Sequence, residues 1–427
     1  MLTPQRLGTV DRTRFIDRAR GLDPQVQQRA HAIVRDVTAN GDDALRRWTK
    51  ELDGCDLPDP FLAKTAWDDL AAQCPADVQQ AIQGNLSRIE QFHARQVGRP
   101  DEVEVAPGVH LGRRAVPHQV AACYVPGGRA SYPSSVIMTV IPARLAGVPR
   151  ILVVTPPQAD GTIDPAVAYA ARFAGATDIL LAGGAQAIAA CANGTKRVPR
   201  ADCIVGPGNA YVTAAKAMVA TRVWTDAPAG PSELLVLADG TADPAFIASD
   251  LVAQAEHDPD AQCLLVTDSN DLAAAVATEL AAQTAMAERK DIITRSLLDH
   301  GALLVADSMA EAIRFADDYA AEHLEVQCKD ARAVADRIRN AGSIFIGPYA
   351  PVPLGDYGSG TNHVLPTMGN ARIRGGLSVE DFRKWVTWQE VTASGLAAIA
   401  DDVITLADAE GLHAHADAVR RRLEGSP

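Results

Sequence analysis

No two of the chain's seven cysteines are spaced as C-x-x-C, and their number is odd. Cys55, Cys74, Cys123, Cys191, Cys203, Cys263 and Cys328 are scattered instead, which argues against a disulfide framework and against a thiolate zinc site. They are expected as reduced core residues. Long hydrophobic runs are missing too. The most apolar segment, Ile179 to Ala192, is interrupted by Gly183-Gly184 and Gln186, and it falls short of the ~20 residues that cross a bilayer. The first thirty residues carry Arg6, Arg12, Arg14, Arg18 and Arg20 and lack the apolar stretch of a signal peptide. A cytoplasmic protein without a membrane span is therefore expected. Positive charge is in deficit: Lys and Arg number 40 against 53 Asp and Glu, a net charge of −13. Such a surface repels phosphate backbones and anionic lipids, so neither nucleic acid nor membrane is expected as a partner. The rest is ordinary for a folded protein. The 427 residues are 47% hydrophobic and 22% charged, with room for about three domains of roughly 150 residues, or two large ones.

Residues 10 to 96 repeat apolar positions at helical spacing, as in Ala30, Ile33, Val34 and Val37 or Leu86 and Ile89, with Gly41 closing the first helix. From residue 119 short apolar runs end in Gly or Pro: 120–125, 151–155, 179–182 and 203–205. Ala-rich amphipathic stretches fill the gaps, the rhythm of βαβ units in a parallel sheet. A second series follows at 234–238, 263–267, 302–306 and 343–346. Two α/β modules in tandem are expected, behind a helical N-terminal layer. The Pro- and Gly-rich stretch Gly347 to Gly376 breaks the rhythm, and a loop of that length is usually functional. Residues 378 to 424 return to helical periodicity and end in Arg420-Arg421-Arg422, charges that suit a helix C-terminus.

Three glycine-rich turns follow strands of the first module: Tyr124-Val125-Pro126-Gly127-Gly128, Gly183-Gly184-Ala185-Gln186 and Gly206-Pro207-Gly208-Asn209. At the C-terminal ends of parallel strands they converge on the edge where open α/β sheets bind ligands, although the third glycine of the dinucleotide fingerprint is missing and an ordinary tight turn remains an alternative. Gln254 and His257, at i, i+3 on a helix, could share a metal, with Asp356 and His415 adding an oxygen and a nitrogen for zinc or manganese. A plain polar helix face is the alternative. Glu322-His323 sets a carboxylate beside an imidazole suited to proton transfer, expected on a helix, where adjacent side chains diverge; a surface dipeptide is the alternative.

Together these motifs, with Tyr132-Pro-Ser-Ser, Ala229-Gly-Pro-Ser-Glu, Ala253-Gln-Ala-Glu-His-Asp-Pro, Glu322-His-Leu-Glu, Gly355-Asp-Tyr, Thr361-Asn-His-Val-Leu-Pro-Thr, Gly376-Leu-Ser-Val and Glu410-Gly-Leu-x-Ala-His, resemble the histidinol dehydrogenase family through nearly the whole chain. The resemblance implies a zinc-dependent, NAD-linked enzyme that oxidises L-histidinol through the aldehyde to L-histidine, the last step of histidine biosynthesis. It implies Gln254, His257, Asp356 and His415 as ligands of one zinc ion per subunit, and Glu322 and His323 as the acid–base pair. Tyr124, Gln186 and Asn209 would contact NAD, while Ser232, His323, Glu410 and the zinc ligands would bind substrate. The implied fold is α/β, with two incomplete Rossmann-like modules, a helical N-terminal layer and a small helical C-terminal tail. The first module, 124–232, would be inserted in a larger domain formed by 1–123 plus 233–375. The tail 376–427 would cross to the partner of a homodimer, carrying Glu410 and His415 into its site. Family members that oxidise another small polar alcohol, such as a sulfonated propanediol, share the scaffold. A zinc hydrolase would leave Tyr124, Gln186 and Asn209 without a purpose, and a silent metal-binding structural protein would leave Glu322 and His323 idle.

Overall fold

The computed structural model describes residues 2–18, 23–127, 131–228 and 230–425. Arg20 of the N-terminal charge pattern and the motif residues Gly128 and Ala229 lie outside the described residues. Two parallel sheets dominate. The first has five strands in the spatial order Asp178–Leu181, Arg150–Thr155, Val120–Tyr124, Cys203–Val205 and Trp224–Thr225. The second has six, in the order Pro4–Arg6, Ala302–Val305, Gln262–Thr267, Glu233–Ala238, His323–Gln327 and Ser343–Ile346. The five-stranded sheet thus lies, in sequence, between two strands of the six-stranded one. The two-module expectation holds, with strand bounds within a residue or two of the apolar runs.

Both sheets are covered on two faces, which is why their strands read as unbroken apolar runs. Alternation then assigns each side chain to one face. In Val120–Tyr124, Ala121 and Cys123 face a core with Trp67, Ile82, Leu86 and Ile89, whereas Ala122 and Tyr124 face Ala30, Ile33, Val37 and Leu45. The N-terminal helices Pro24–Asp53, Lys64–Ala72 and Ala76–His93 therefore pack on the five-stranded sheet, the one the sequence reading sets apart from them. Gly41 is non-helical, at φ 54° and ψ −128°, and divides the Pro24–Asp53 stretch into two helices, closing the first as expected. All seven cysteines are free and buried. No helix among the described residues is long and apolar enough to cross a membrane.

Three local expectations are corrected. Residues 383–391, read as helical, form a strand that pairs antiparallel along Val109–Pro117, which also pairs with Asp101–Ala106. Trp385, Val386, Thr387, Trp388 and Val391 favour that state, and the Trp388 ring fills the space above Gly112, where a Cβ would lie 2.3 Å from it. The helices Ala393–Ala409 and His413–Glu424 then complete the tail. Glu322-His323 is not helical: the preceding helix ends at Tyr319, Ala320 takes a left-handed conformation (φ 52°), and His323 opens a strand. Finally, the helix that carries Gln254 ends at Ala255, so His257 sits in the following turn, its N–H given to the Gln254 carbonyl (3.3 Å).

Candidate active site

In the five-stranded sheet the chain runs outward from Val120–Tyr124 through two strands and then returns to its other side, so the crevice of the topological switch opens between the ends of Val120–Tyr124 and Cys203–Val205. The glycine-rich turns meet there. The Tyr124 hydroxyl accepts the Gly184 N–H (3.1 Å), and burial pushes its pKa up to about 12. Gly206, at φ +111°, lies so close that a Cβ would come within 2.0 Å of the Tyr124 carbonyl. Its N–H donates to Asp226 (2.7 Å) and its carbonyl accepts from Lys216 (2.5 Å), a buried ion pair that holds the turn from beneath. Asn209 caps the next helix, its Oδ1 accepting from the N–H groups of Tyr211 and Val212 (3.1 Å each). Gln186 is fully buried; its Nε2 donates to Asp53 (3.2 Å) and its Oε1 has no partner among the described residues.

The six-stranded sheet contributes its opposite edge. Ser232 precedes the strand Glu233–Ala238, and Glu322 precedes the adjacent strand. The Glu322 carboxylate accepts the Glu233 N–H (2.8 Å) and lies 3.5 Å from His323 Nδ1. The Glu233 carbonyl, which can only accept, lies 3.0 Å from His323 Nδ1. The proton is thereby assigned to Nδ1, and Nε2 keeps a free lone pair. Burial drives the Glu322 pKa well above the usual carboxylate range, opposed by the Glu233 N–H and reinforced by the charges of Glu233 and Asp356. The same burial lowers the His323 pKa, against the pull of Asp356. A neutral imidazole that can take a proton results.

Asp356 lies on the short helix Val352–Tyr357 within the Pro/Gly-rich loop, 3.8 Å from His363 Nδ1, with both side chains largely covered. The loop ties the two modules together. Asn362 donates to the Met138 carbonyl (2.7 Å) above the five-stranded sheet, and Met368 donates to Glu233 (2.7 Å) at the six-stranded one. Gln254 is 2% exposed, and neither atom of its amide has a partner among the described residues. A buried amide left unbonded is costly; an oxygen-binding ion would satisfy it. Gln254, His257 and Asp356 offer the oxygen and nitrogen donors zinc takes, although no three His, Cys, Asp or Glu among the described residues form a ready metal cluster.

Glu410 and His415 are not brought to this group. Both are exposed, Glu410 just past the helix Ala393–Ala409 and His415 on the helix His413–Glu424. These helices pack on each other and the first also on the strand Asp101–Ala106, and among the described residues no hydrogen bond or ion pair joins either residue to Gln254, His257, Asp356 or His323. Sequence reasoning also missed residues. Asp53, at the end of a helix 130 positions before Gly183, accepts the Gly183 N–H (3.3 Å), and no local signal marks it. Glu233, inside the Gly-Pro-Ser-Glu motif, is bonded to both Glu322 and Met368.

Comparison with known proteins concerns the chain as a whole. The histidinol dehydrogenase family model matches residues 17–423. Histidinol dehydrogenase from Methanosarcina mazei is 46% identical over 415 residues, covering 97% of this chain and 95% of the relative. The Halobacterium salinarum enzyme of that name is 48% identical over 416 residues, covering 97% and 96%. The crystal structure of histidinol dehydrogenase from Elizabethkingia anophelis superposes with a TM-score of 0.94 at 38% identity, over 99% of this chain and 98% of that one. A match this long, carried by sequence and fold alike, means that the chain belongs to the histidinol dehydrogenase family.

Proposed function

We propose that this protein oxidises L-histidinol through L-histidinal to L-histidine in the cytoplasm, with NAD and one zinc ion per subunit, as a domain-crossed homodimer. The observation that carries the metal assignment is the Gln254 amide, buried with both polar atoms unbonded. Gln254, His257 and Asp356 would hold the zinc with His415 reaching from the partner subunit, because His415 stands exposed and apart from them in its own chain. Glu410 on the same tail would orient the cationic substrate, together with Ser232. Tyr124, Gln186 and Asn209 would hold NAD at the switch-point crevice.

Zinc, when bound, supplies a Lewis acid that fixes the substrate's nitrogens, and NAD supplies the hydride acceptor. His323 Nε2 takes the carbinol proton as the alcohol is oxidised, while the Nδ1–H bond to the Glu233 carbonyl holds the ring in register. Glu322 then takes a proton from the water that hydrates the aldehyde, which readies the carbon for the second oxidation. Burial of both groups excludes bulk solvent from the reactive aldehyde. The test is turnover with zinc-loaded enzyme, L-histidinol against a sulfonated propanediol. NAD reduction with L-histidinol supports the reading; reduction with the sulfonate alone moves the protein to another substrate within the family.

A further inference from the structure

The two proton-transfer residues share one support. Glu233 meets them through three groups: its N–H donates to the Glu322 carboxylate, its carbonyl accepts from His323, and its carboxylate accepts the Glu322 N–H (3.4 Å) and the Met368 N–H (2.7 Å). That carboxylate is held in turn by Arg18, whose Nε and Nη2 reach its two oxygens at 3.0 and 2.9 Å. The side chains are 2% and 1% exposed. The guanidinium lies 3.6 Å over the Tyr319 ring and donates to the carbonyls of Phe15 (2.8 Å) and Ala320 (3.4 Å).

Among the described residues only two that are not glycine have positive φ, Ala320 at 52° and Met368 at 56°. Left-handed backbone at a residue with a side chain is disfavoured and persists where its surroundings over-determine it. Here one ion pair grips both: Arg18 holds the Ala320 carbonyl, and Glu233 holds the Met368 N–H. Ala320 sets the approach to Glu322, and Met368 lies in the loop that carries Asp356. A buried ion pair gives little stability that a hydrophobic pair would not also give, so its placement calls for another role.

We propose that the Arg18–Glu233 pair is a positioning clamp, which aligns Glu322 and His323 for proton transfer by pinning the strained backbone on either side of them. The inference rests on the acid–base roles assigned under Proposed function. The clamp also presents balanced charge to Glu322. The charged and titratable groups that act on Glu322 are Glu233, Tyr319, His323 and Asp356, with Arg18 one step behind them, paired to Glu233. Removal of one partner unbalances that set in a known direction.

The experiment measures the pH profile of L-histidinal oxidation, with NAD KM, for zinc-loaded Arg18→Met, Glu233→Gln and the double variant. Arg18→Met leaves an uncompensated carboxylate and should move the acid limb up by about one pH unit; Glu233→Gln leaves an uncompensated guanidinium and should move it down by about as much. The double variant should return the limb to its wild-type place with kcat down about tenfold and NAD KM unchanged, because the charges balance again but the strained backbone is no longer gripped. Limbs that stay put, or move the same way, in folded single variants overturn the clamp. Should the single variants not fold, the neutral double variant decides, and wild-type kcat in it overturns the proposal. The assigned roles are judged separately, on wild-type enzyme: no oxidation of histidinal there refutes those roles before any variant is read.

Discussion

Lys216→Met removes one half of the buried pair beneath the Gly206 turn. The Lys216 Nζ lies 2.6 Å from Asp226 Oδ1 and 2.5 Å from the Gly206 carbonyl, and the two side chains are 6% and 8% exposed. The substitution leaves a buried carboxylate without its cation and a carbonyl without its donor. Breaking a buried pair from one side costs about 3–5 kcal/mol, against a total stability of about 5–15 kcal/mol. The loss depends on pH. Burial raises the Asp226 pKa and Lys216 is the largest opposing influence, so the variant's Asp226 rises further. A folded pKa above the unfolded value means that the folded state binds the extra proton, so stability is greatest below the unfolded pKa and falls as pH rises through the folded one. The cost should therefore be smaller at pH 5 than at pH 8. Lys216→Met with Asp226→Asn removes both charges and should recover more than half of the loss. Urea unfolding followed by tryptophan fluorescence measures each case, and NAD titration should show weaker binding in the single variant because the turn has lost a tether. A single-variant loss under about 1 kcal/mol at pH 8, or a double variant worse than the single one, would refute the reasoning.

Asn209→Ala removes an N-cap and should cost about 1 kcal/mol while raising the KM for NAD, with Asn209→Ser restoring most of both; thermal melts and steady-state kinetics check this. Gln254→Leu should stabilise the metal-free protein by about 1 kcal/mol, because it deletes an unsatisfied buried amide, yet lower zinc retention in metal analysis after gel filtration. Asp250, whose pKa burial pushes up to about 6, lies in a buried group with Glu325 and Gln327. The folded protein holds that proton between the unfolded value of 3.8 and about 6, so stability should fall as pH rises through this window; Glu325→Gln, which removes a second carboxyl whose pKa burial raises, should flatten the slope in melts at pH 4.5 and 7. Mixing inactive His257→Ala with inactive His415→Ala subunits should return roughly a quarter of wild-type activity if the tail crosses between subunits, since about half of the dimers then carry one intact site; demonstrated exchange without activity would place His415 elsewhere.

The parallel strands were legible because burial on both faces writes them as apolar runs: residues 151–155 and 263–267 match the strands almost to the residue. The antiparallel strands were not, because their pairing is non-local. Val103 and Val105 alternate with Glu102 and Glu104 in a strand exposed on both sides, and Arg383–Val391 finds its partner more than 260 residues earlier. Glu322 and His323 were visible as residue types, but their strand setting was hidden by the helical pattern that runs up to Tyr319. The turns around Tyr124, Gln186 and Asn209 stood out because glycine marks a close approach, as the Gly206 contact with Tyr124 bears out. Asp53, Arg18 and Glu233 did not, since an ion pair between residues 215 positions apart leaves no local pattern.

The most direct test of the account is the stoichiometry of one reaction: zinc-loaded protein with limiting L-histidinol and excess NAD, with NADH followed by absorbance and the product by chromatography. The account predicts two NADH and one L-histidine for each L-histidinol consumed, with no histidinal accumulating, and loss of turnover in His323→Ala. A single NADH per substrate with free histidinal, or no turnover by fully zinc-loaded protein, would contradict it.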